Sequence, residues 1–223
     1  KLERQMELEQ FIQILIIIHA GFGGIALLAG GIALSAKKGG KIHKKSGIVF
    51  FYTMLASAIV AFVISTLPNH HSPFLFSIGV FSIYFLLIGY RSIRFKRKNT
   101  SSKIERIIST TMMFVAVGMI LLPLILQGVL NIVLTVFGGT ALIFTIRNLK
   151  LYKNPEKLNK SWLKLHLGNM IGGYIAATTA FVVVNNFFPS FYGWFIPGII
   201  GGTFIIYWIR KLNKGKNIKI VAN

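Results

Sequence analysis

Three histidines are the side chains of this 223-residue sequence best placed to do chemistry at membrane depth. His166 lies near the start of the apolar run Trp162 to Val184. At 100° per residue it shares a helix face with Asn169, Met170, Gly173, Ala177 and Ala180. His19 shares a face of its own run with Gly23, Ala26, Gly30 and Ala33. His43 stands in the basic stretch Gly40-Lys41-Ile42-His43-Lys44-Lys45, just ahead of the second apolar run. A neutral imidazole ligates haem iron and other metals, and an ionisable residue at membrane depth is a functional candidate by default. The chemistry expected of these residues is therefore ligation of a metal or a b-type haem, with a redox role. The alternative for each is a neutral histidine hydrogen-bonded to a carbonyl or a Ser/Thr of a neighbouring helix.

Depth separates the three. At 1.5 Å per residue, His166 lies roughly 6 Å in from the cytoplasmic end of its helix and His19 roughly 12 Å in from the outer end of its own. In an apolar core of about 30 Å this leaves them roughly 12 Å apart along the normal, too far to share one ion at ~2 Å ligand distances. His43 falls at the inner level with His166. His43 and His166 are accordingly the expected metal ligands, with His19 in a separate layer. His70 and His71, in a short outer turn, are expected to be solvated.

The elements that must hold these residues follow from hydropathy. With 54% hydrophobic residues, 13% charged residues and 22 glycines, the chain is too apolar for an ordinary soluble domain. Seven runs, about 11–36, 47–67, 73–93, 107–126, 128–148, 162–184 and 193–210, each approach the ~20 residues that a spanning helix needs. The expected fold is all-α, a seven-helix transmembrane bundle over residues 11–210. An extracytoplasmic segment (1–10) precedes it and a basic cytoplasmic tail (211–223) follows.

Charge orients the bundle. Of the 25 basic residues, 23 fall in the stretches 36–46, 91–106 and 147–164 and in the tail from Arg210 onward. The intervening connections, Pro68 to Ser72, Gln127–Gly128 and Asn185 to Tyr192, have none. The positive-inside rule then puts the N-terminus outside and the C-terminus in the cytoplasm. The same pattern argues against nucleic acid, because a net charge of +20 is spread in blocks between apolar runs and forms no single stripe. The lipid bilayer and anionic lipid at the cytoplasmic face are the expected partners, with a homo-oligomer admitted.

Much chemistry is excluded by composition. Cysteine and aspartate are absent, and the five carboxylates, Glu3, Glu7, Glu9, Glu105 and Glu156, are all placed outside the bilayer. That removes thiolate sites, Ser/His/Asp triads and carboxylate cages, and no Gly-x-x-x-x-Gly-Lys loop is present. No catalytic residue is assigned. Transport or binding of a small apolar or weakly polar ligand is the alternative function. It is favoured by Pro123 and Pro197 within helices and by hydroxyls such as Thr110, Thr111, Thr135, Thr140, Thr178 and Thr179. A structural or signalling subunit without catalysis is the third class. Small residues are expected to pack helices, above all the i+4 ridge Gly168, Gly172, Ala176 and Ala180.

Several of these motifs together carry a resemblance. His19 in a Gly-rich first helix, Gly40-Lys41-Ile42-His43-Lys44 with Gly47 opening the second, and His166 with Met170, Tyr174-Ile175-Ala176 and Thr179-Ala180-Phe181 resemble an uncharacterised family of bacterial multi-pass membrane proteins, a domain of unknown function. The resemblance implies a bacterial cytoplasmic (inner) membrane location and directs attention to His19, His43 and His166. Asn169, on the His166 face, and Tyr174, in the third motif, complete the expected ligand-binding set.

Overall fold

Seven helices account for nearly all of the chain in the computed structural model, which describes residues 2–189 and 192–213 and side chains from residue 5 onward. They are α1 (Leu2–Ser35), α2 (Lys41–Ile64), α3 (Pro73–Arg91), α4 (Lys103–Gln127), α5 (Ile132–Tyr152), α6 (Pro155–Val184) and α7 (Tyr192–Asn213), with a 3-10 turn, Ser92–Lys96, after α3. Among the described residues there is no strand, and all seven helices are long and apolar enough to cross a membrane. The expected all-helical, seven-span architecture is therefore the observed one.

Helix ends depart from the apolar runs wherever local capping chemistry overrides hydropathy. α2 begins at Lys41, so His43 lies in the first turn of a helix and not in a loop before it. α6 begins seven residues ahead of Trp162, with Pro155 at its first position and Asn154 Oδ1 accepting from the Lys157 N–H at 2.9 Å. The turn expected at Gln127–Gly128 is longer. Gly128 takes a left-handed φ of 70° and ends α4, and Asn131 Oδ1 accepts from Leu134 N–H at 3.1 Å to start α5. α1 begins at Leu2, so the segment expected ahead of the first span is helical. In the tail, Lys214, Lys216 and Lys219 lie outside the described residues, as does Lys1.

The chain divides into two compact units, residues 1–72 with 174–223 and residues 73–173, the division falling between Gly173 and Tyr174 within α6. In the first unit α1 and α2 form a hairpin. Gly23 admits Ser57, whose Oγ stands 3.3 Å from where a Cβ on Gly23 would be. Gly30 likewise lies against the Tyr174 ring, with only 2.5 Å left for a Cβ. Gly201 of α7 packs on Ile175. Lys38, just past α1, donates to the Ala33 carbonyl at 3.2 Å and to that of Leu34, so it caps the helix whose basic flank it was expected only to orient. Its ammonium also stands 5.4 Å from the Trp208 ring centre. Burial holds the Lys38 pKa below the usual lysine value.

The second unit pairs α4 with α5 through Gly138, where a Cβ would meet the Ala116 carbonyl oxygen at 2.8 Å. It also holds α3 against the first half of α6. A Cβ on Gly89 would stand 2.8 Å from Met170 Sδ, and one on Gly172 would stand 3.3 Å from the Phe85 ring. The i+4 ridge of α6 is thus used unevenly, because nothing lies within 4 Å of a Cβ built on Gly168.

Candidate functional site

Each of the three central histidines is held by the same bond. His19 Nδ1 is 3.0 Å from the Ser57 carbonyl oxygen, His43 Nδ1 is 2.9 Å from that of Ala33, and His166 Nδ1 is 2.8 Å from that of Gly89. A carbonyl only accepts, which assigns a proton to Nδ1 in all three. A main-chain hydrogen bond at Nδ1 is also what orients a ligating imidazole and raises the basicity of its other nitrogen.

The local sequence explains how each ring gets there. Around His19, the buried Ser57 closes a ring of bonds. Its Oγ is 2.9 Å from His19 Nδ1 and donates to the His19 carbonyl at 3.0 Å. Gly23 and Ala26 are what let α2 come that close. The small-residue face of α1 is therefore filled by protein: Ser57 against Gly23, Tyr174 against Gly30, and the His43 ring bonded to the Ala33 carbonyl. Within the α1–α2 hairpin the two bonds are reciprocal, His19 of α1 reaching α2 and His43 of α2 reaching α1. Their positions on α1, His19 and Ala33, are fourteen residues apart, about 21 Å along the helix.

His166 meets α3 where Gly89 removes the side chain, and the Gly89 carbonyl also accepts from Ser92 Oγ at 2.7 Å. Asn169, one turn on, is buried. It donates to the Leu165 carbonyl at 2.7 Å, while its Oδ1 has no hydrogen-bond partner. Tyr174 donates its hydroxyl to the Leu27 carbonyl at 3.2 Å and meets Phe50 edge-on at 5.8 Å. His43 belongs to the first unit and His166 to the second. Among the described residues, no group of three or more His, Cys, Asp or Glu side chains is arranged to hold a metal ion. His70 pairs with Glu9, Nε2 to Oε2 at 3.1 Å, so it has a partner that a solvated turn would not give it.

Glu105 is buried by protein, which its place in a basic stretch did not suggest. It stands in the first turn of α4, within the span Lys103–Gln127, and is 1% exposed. The Arg91 guanidinium compensates it, Nε to Oε1 at 2.8 Å, with Arg94 at 4.0 Å. The Nη2 of Arg91 and the Oε2 of Glu105 are buried and unpartnered, so only half of the fork an Arg–carboxylate pair can make is closed. Beside them Asn148 donates to Tyr84 Oη at 2.8 Å, and Tyr84 Oη lies 3.4 Å from Ser109 Oγ. The hydroxyl of the fully buried Tyr152 has no partner. Sequence reasoning missed this cluster because a glutamate in a run of seven basic residues looks like a solvated loop. The available signal was an acidic residue in the first turn of one helix, a turn and a loop after a basic residue in the last turn of another.

Seven helices long and apolar enough to cross a membrane define an integral membrane protein of the helical class. Residues 16–104 match the model of the family DUF2306, described as a predicted membrane protein; the match spans less than half of the chain. The matched stretch contains His19 and His43 and ends before Glu105 and His166. No curated protein and no solved structure matches the chain.

Proposed function

We propose that this integral membrane protein uses His43 and His166 as oriented ligands for a metal or a b-type haem, in a redox role. The supporting observation is the shared bond from Nδ1 to a main-chain carbonyl, the kind of bond that orients a ligating imidazole. By the depths the sequence assigns them, His43 and His166 belong to the inner level and His19 to a separate layer nearer the outer face. The orientation is N-terminus outside, in a bacterial cytoplasmic membrane, as the distribution of basic residues supports.

The same three bonds would serve helix packing alone, so the test has to read the ligand. The visible spectrum and metal content of the purified protein are measured first. A Soret band or a stoichiometric metal is expected, to be lost in His43→Ala and in His166→Ala and kept in His19→Ala. A colourless, metal-free protein overturns the reading and leaves three packing histidines.

A second reading, binding or transport of a small solute, has one observation in its favour: three buried polar atoms without partners, on Arg91, Glu105 and Tyr152, gathered in the second unit. The hydroxyls first thought to line a path support it less, since Thr140 and Thr178 bond carbonyls of their own helices. Solute-dependent protection of the protein against thermal unfolding, abolished by Tyr152→Phe, is the outcome this reading requires. Equal protection of that variant excludes it.

A further inference from the structure

The connection between the 3-10 turn and α4 closes over a cleft of about 350 Å³, lined by residues 99–103, by Arg106 and by Pro155 at the start of α6. Its chemistry is one-sided. Lys103 and Arg106 supply two cations, and Ser101 and Ser102 supply hydroxyls, while the Thr100 hydroxyl is engaged with the Arg94 and Arg97 carbonyls. The first turn of α4 adds the main-chain donors of Ile104 and Glu105, because the Lys103 N–H is taken by Ser101 Oγ at 3.3 Å and the ladder of that helix opens with Arg106 N–H to the Ser102 carbonyl at 2.9 Å.

Ser102 is the observation that turns this surface into a site. It occupies the N-cap of α4, where a serine ordinarily accepts from the second or third N–H of its helix, yet its side chain makes no cap bond. It is 8% exposed, its hydroxyl bonds nothing else, and it lines the cleft. A serine nine-tenths buried with an unused donor and acceptor awaits a polar group from outside. The cations are set for the same task. Arg106 is fixed by one nitrogen, Nη2 donating to the Tyr152 carbonyl at 2.5 Å. The carboxylate that would repel an anion here, Glu105, is turned away into its pair with Arg91.

An oxyanion with several acceptor oxygens fits this donor set. The surroundings choose its source. Ile104 and Ile107 on α4, and Ile93 on the 3-10 turn, expose 48%, 57% and 43% of their surface. Polar donors beside exposed apolar side chains at the end of a spanning helix match an amphiphile better than a free ion. We propose that this cleft binds the phosphate of an anionic lipid headgroup, held by Lys103, Arg106 and the Ser102 hydroxyl with acyl chains along Ile104 and Ile107.

The experiment uses the full chain reconstituted in phosphatidylcholine bilayers containing a minority of phosphatidylglycerol, re-extracted in mild detergent, with the retained lipids quantified by native mass spectrometry. Phosphatidylglycerol should be enriched on the wild type. Enrichment should fall about fivefold for each cation removed in Lys103→Gln and Arg106→Gln. Ser102→Ala, which leaves all charge in place, should lower it by a smaller factor. Lys41→Gln with Lys45→Gln, on another basic face, should leave it unchanged. If the Lys41 and Lys45 changes cost as much as those at the cleft, or if Ser102→Ala and both cleft charge variants retain lipid like the wild type, the site is overturned. Excess inorganic phosphate during extraction separates the sources: retention that survives it supports a lipid headgroup, and retention abolished by it marks a free-phosphate site and overturns the lipid assignment.

Discussion

In the α1–α2 hairpin the polar side chains at depth answer to backbone: His19 to Ser57, His43 to Ala33, each through an imidazole N–H and a carbonyl. In the group built by α3, α4 and α5 they answer to one another: Arg91 to Glu105, Asn148 to Tyr84, Tyr84 to Ser109. The first arrangement costs little desolvation and is complete among its own atoms. The second takes the Glu105 charge and most of the Arg91 side chain out of water and leaves five polar atoms of these helices unpartnered. Hydropathy reads the two regions alike, since both are apolar helices with a few polar residues. They differ in how a substitution should propagate, because losing one partner of a neutral bond strands a dipole and losing one partner of a charge pair strands an ion.

The largest effect should come from the charge pair. Glu105→Ala leaves the Arg91 guanidinium buried without its anion and should destabilise by about 3–5 kcal/mol, measured as denaturant or thermal unfolding in detergent. Replacing both, Arg91→Met with Glu105→Leu, should recover most of that loss. A double variant as unstable as the single one would mean that the surrounding network, and not the pair, holds this region. Packing comes next. Gly172→Leu should cost about 1–3 kcal/mol because the Phe85 ring lies 3.3 Å from a Cβ there, whereas Gly168→Ala, with open space around it, should cost nothing. Equal melting temperatures for the two variants would remove the distinction between them. His19→Ala should cost about 1–2 kcal/mol, the loss of the bond that leaves the buried Ser57 groups short of a partner. A cost matching that of Glu105→Ala would erase the contrast between the regions.

The smallest perturbation tests orientation. Single cysteines at His71 and Ser101, both exposed and with no native cysteine to compete, should be labelled from outside intact cells only at His71. Labelling at Ser101 reverses the topology.

How much of this was legible in the sequence follows from which properties are local. Spanning length is local: twenty apolar residues announce a helix whatever surrounds them, so all seven were visible. Helix starts were not, because Lys41 and Pro155 open helices through capping and φ preference in polar sequence that hydropathy scores as loop. The histidines were visible as residue types on small-residue faces. Their partners, Ser57, Ala33 and Gly89, were not, since a main-chain carbonyl has no sequence signature. Glu105 was hidden for a third reason. Its burial depends on Arg91 returning to the same level across the 3-10 turn, a tertiary fact that composition alone scores as a soluble basic loop.

The length of α1 has a mechanical consequence. Its 34 residues make a rod of about 51 Å, against an apolar slab of about 30 Å. Tilt absorbs part of such an excess, and the remainder has to stand in water. The Glu9–His70 pair clamps this rod to the turn between α2 and α3, and the helix continues seven residues beyond the clamp. Helix this short holds poorly in water by itself and borrows its order from the anchored part. A pull or a docking event on the turns ahead of Glu9 would thus be felt first where Glu9 meets His70.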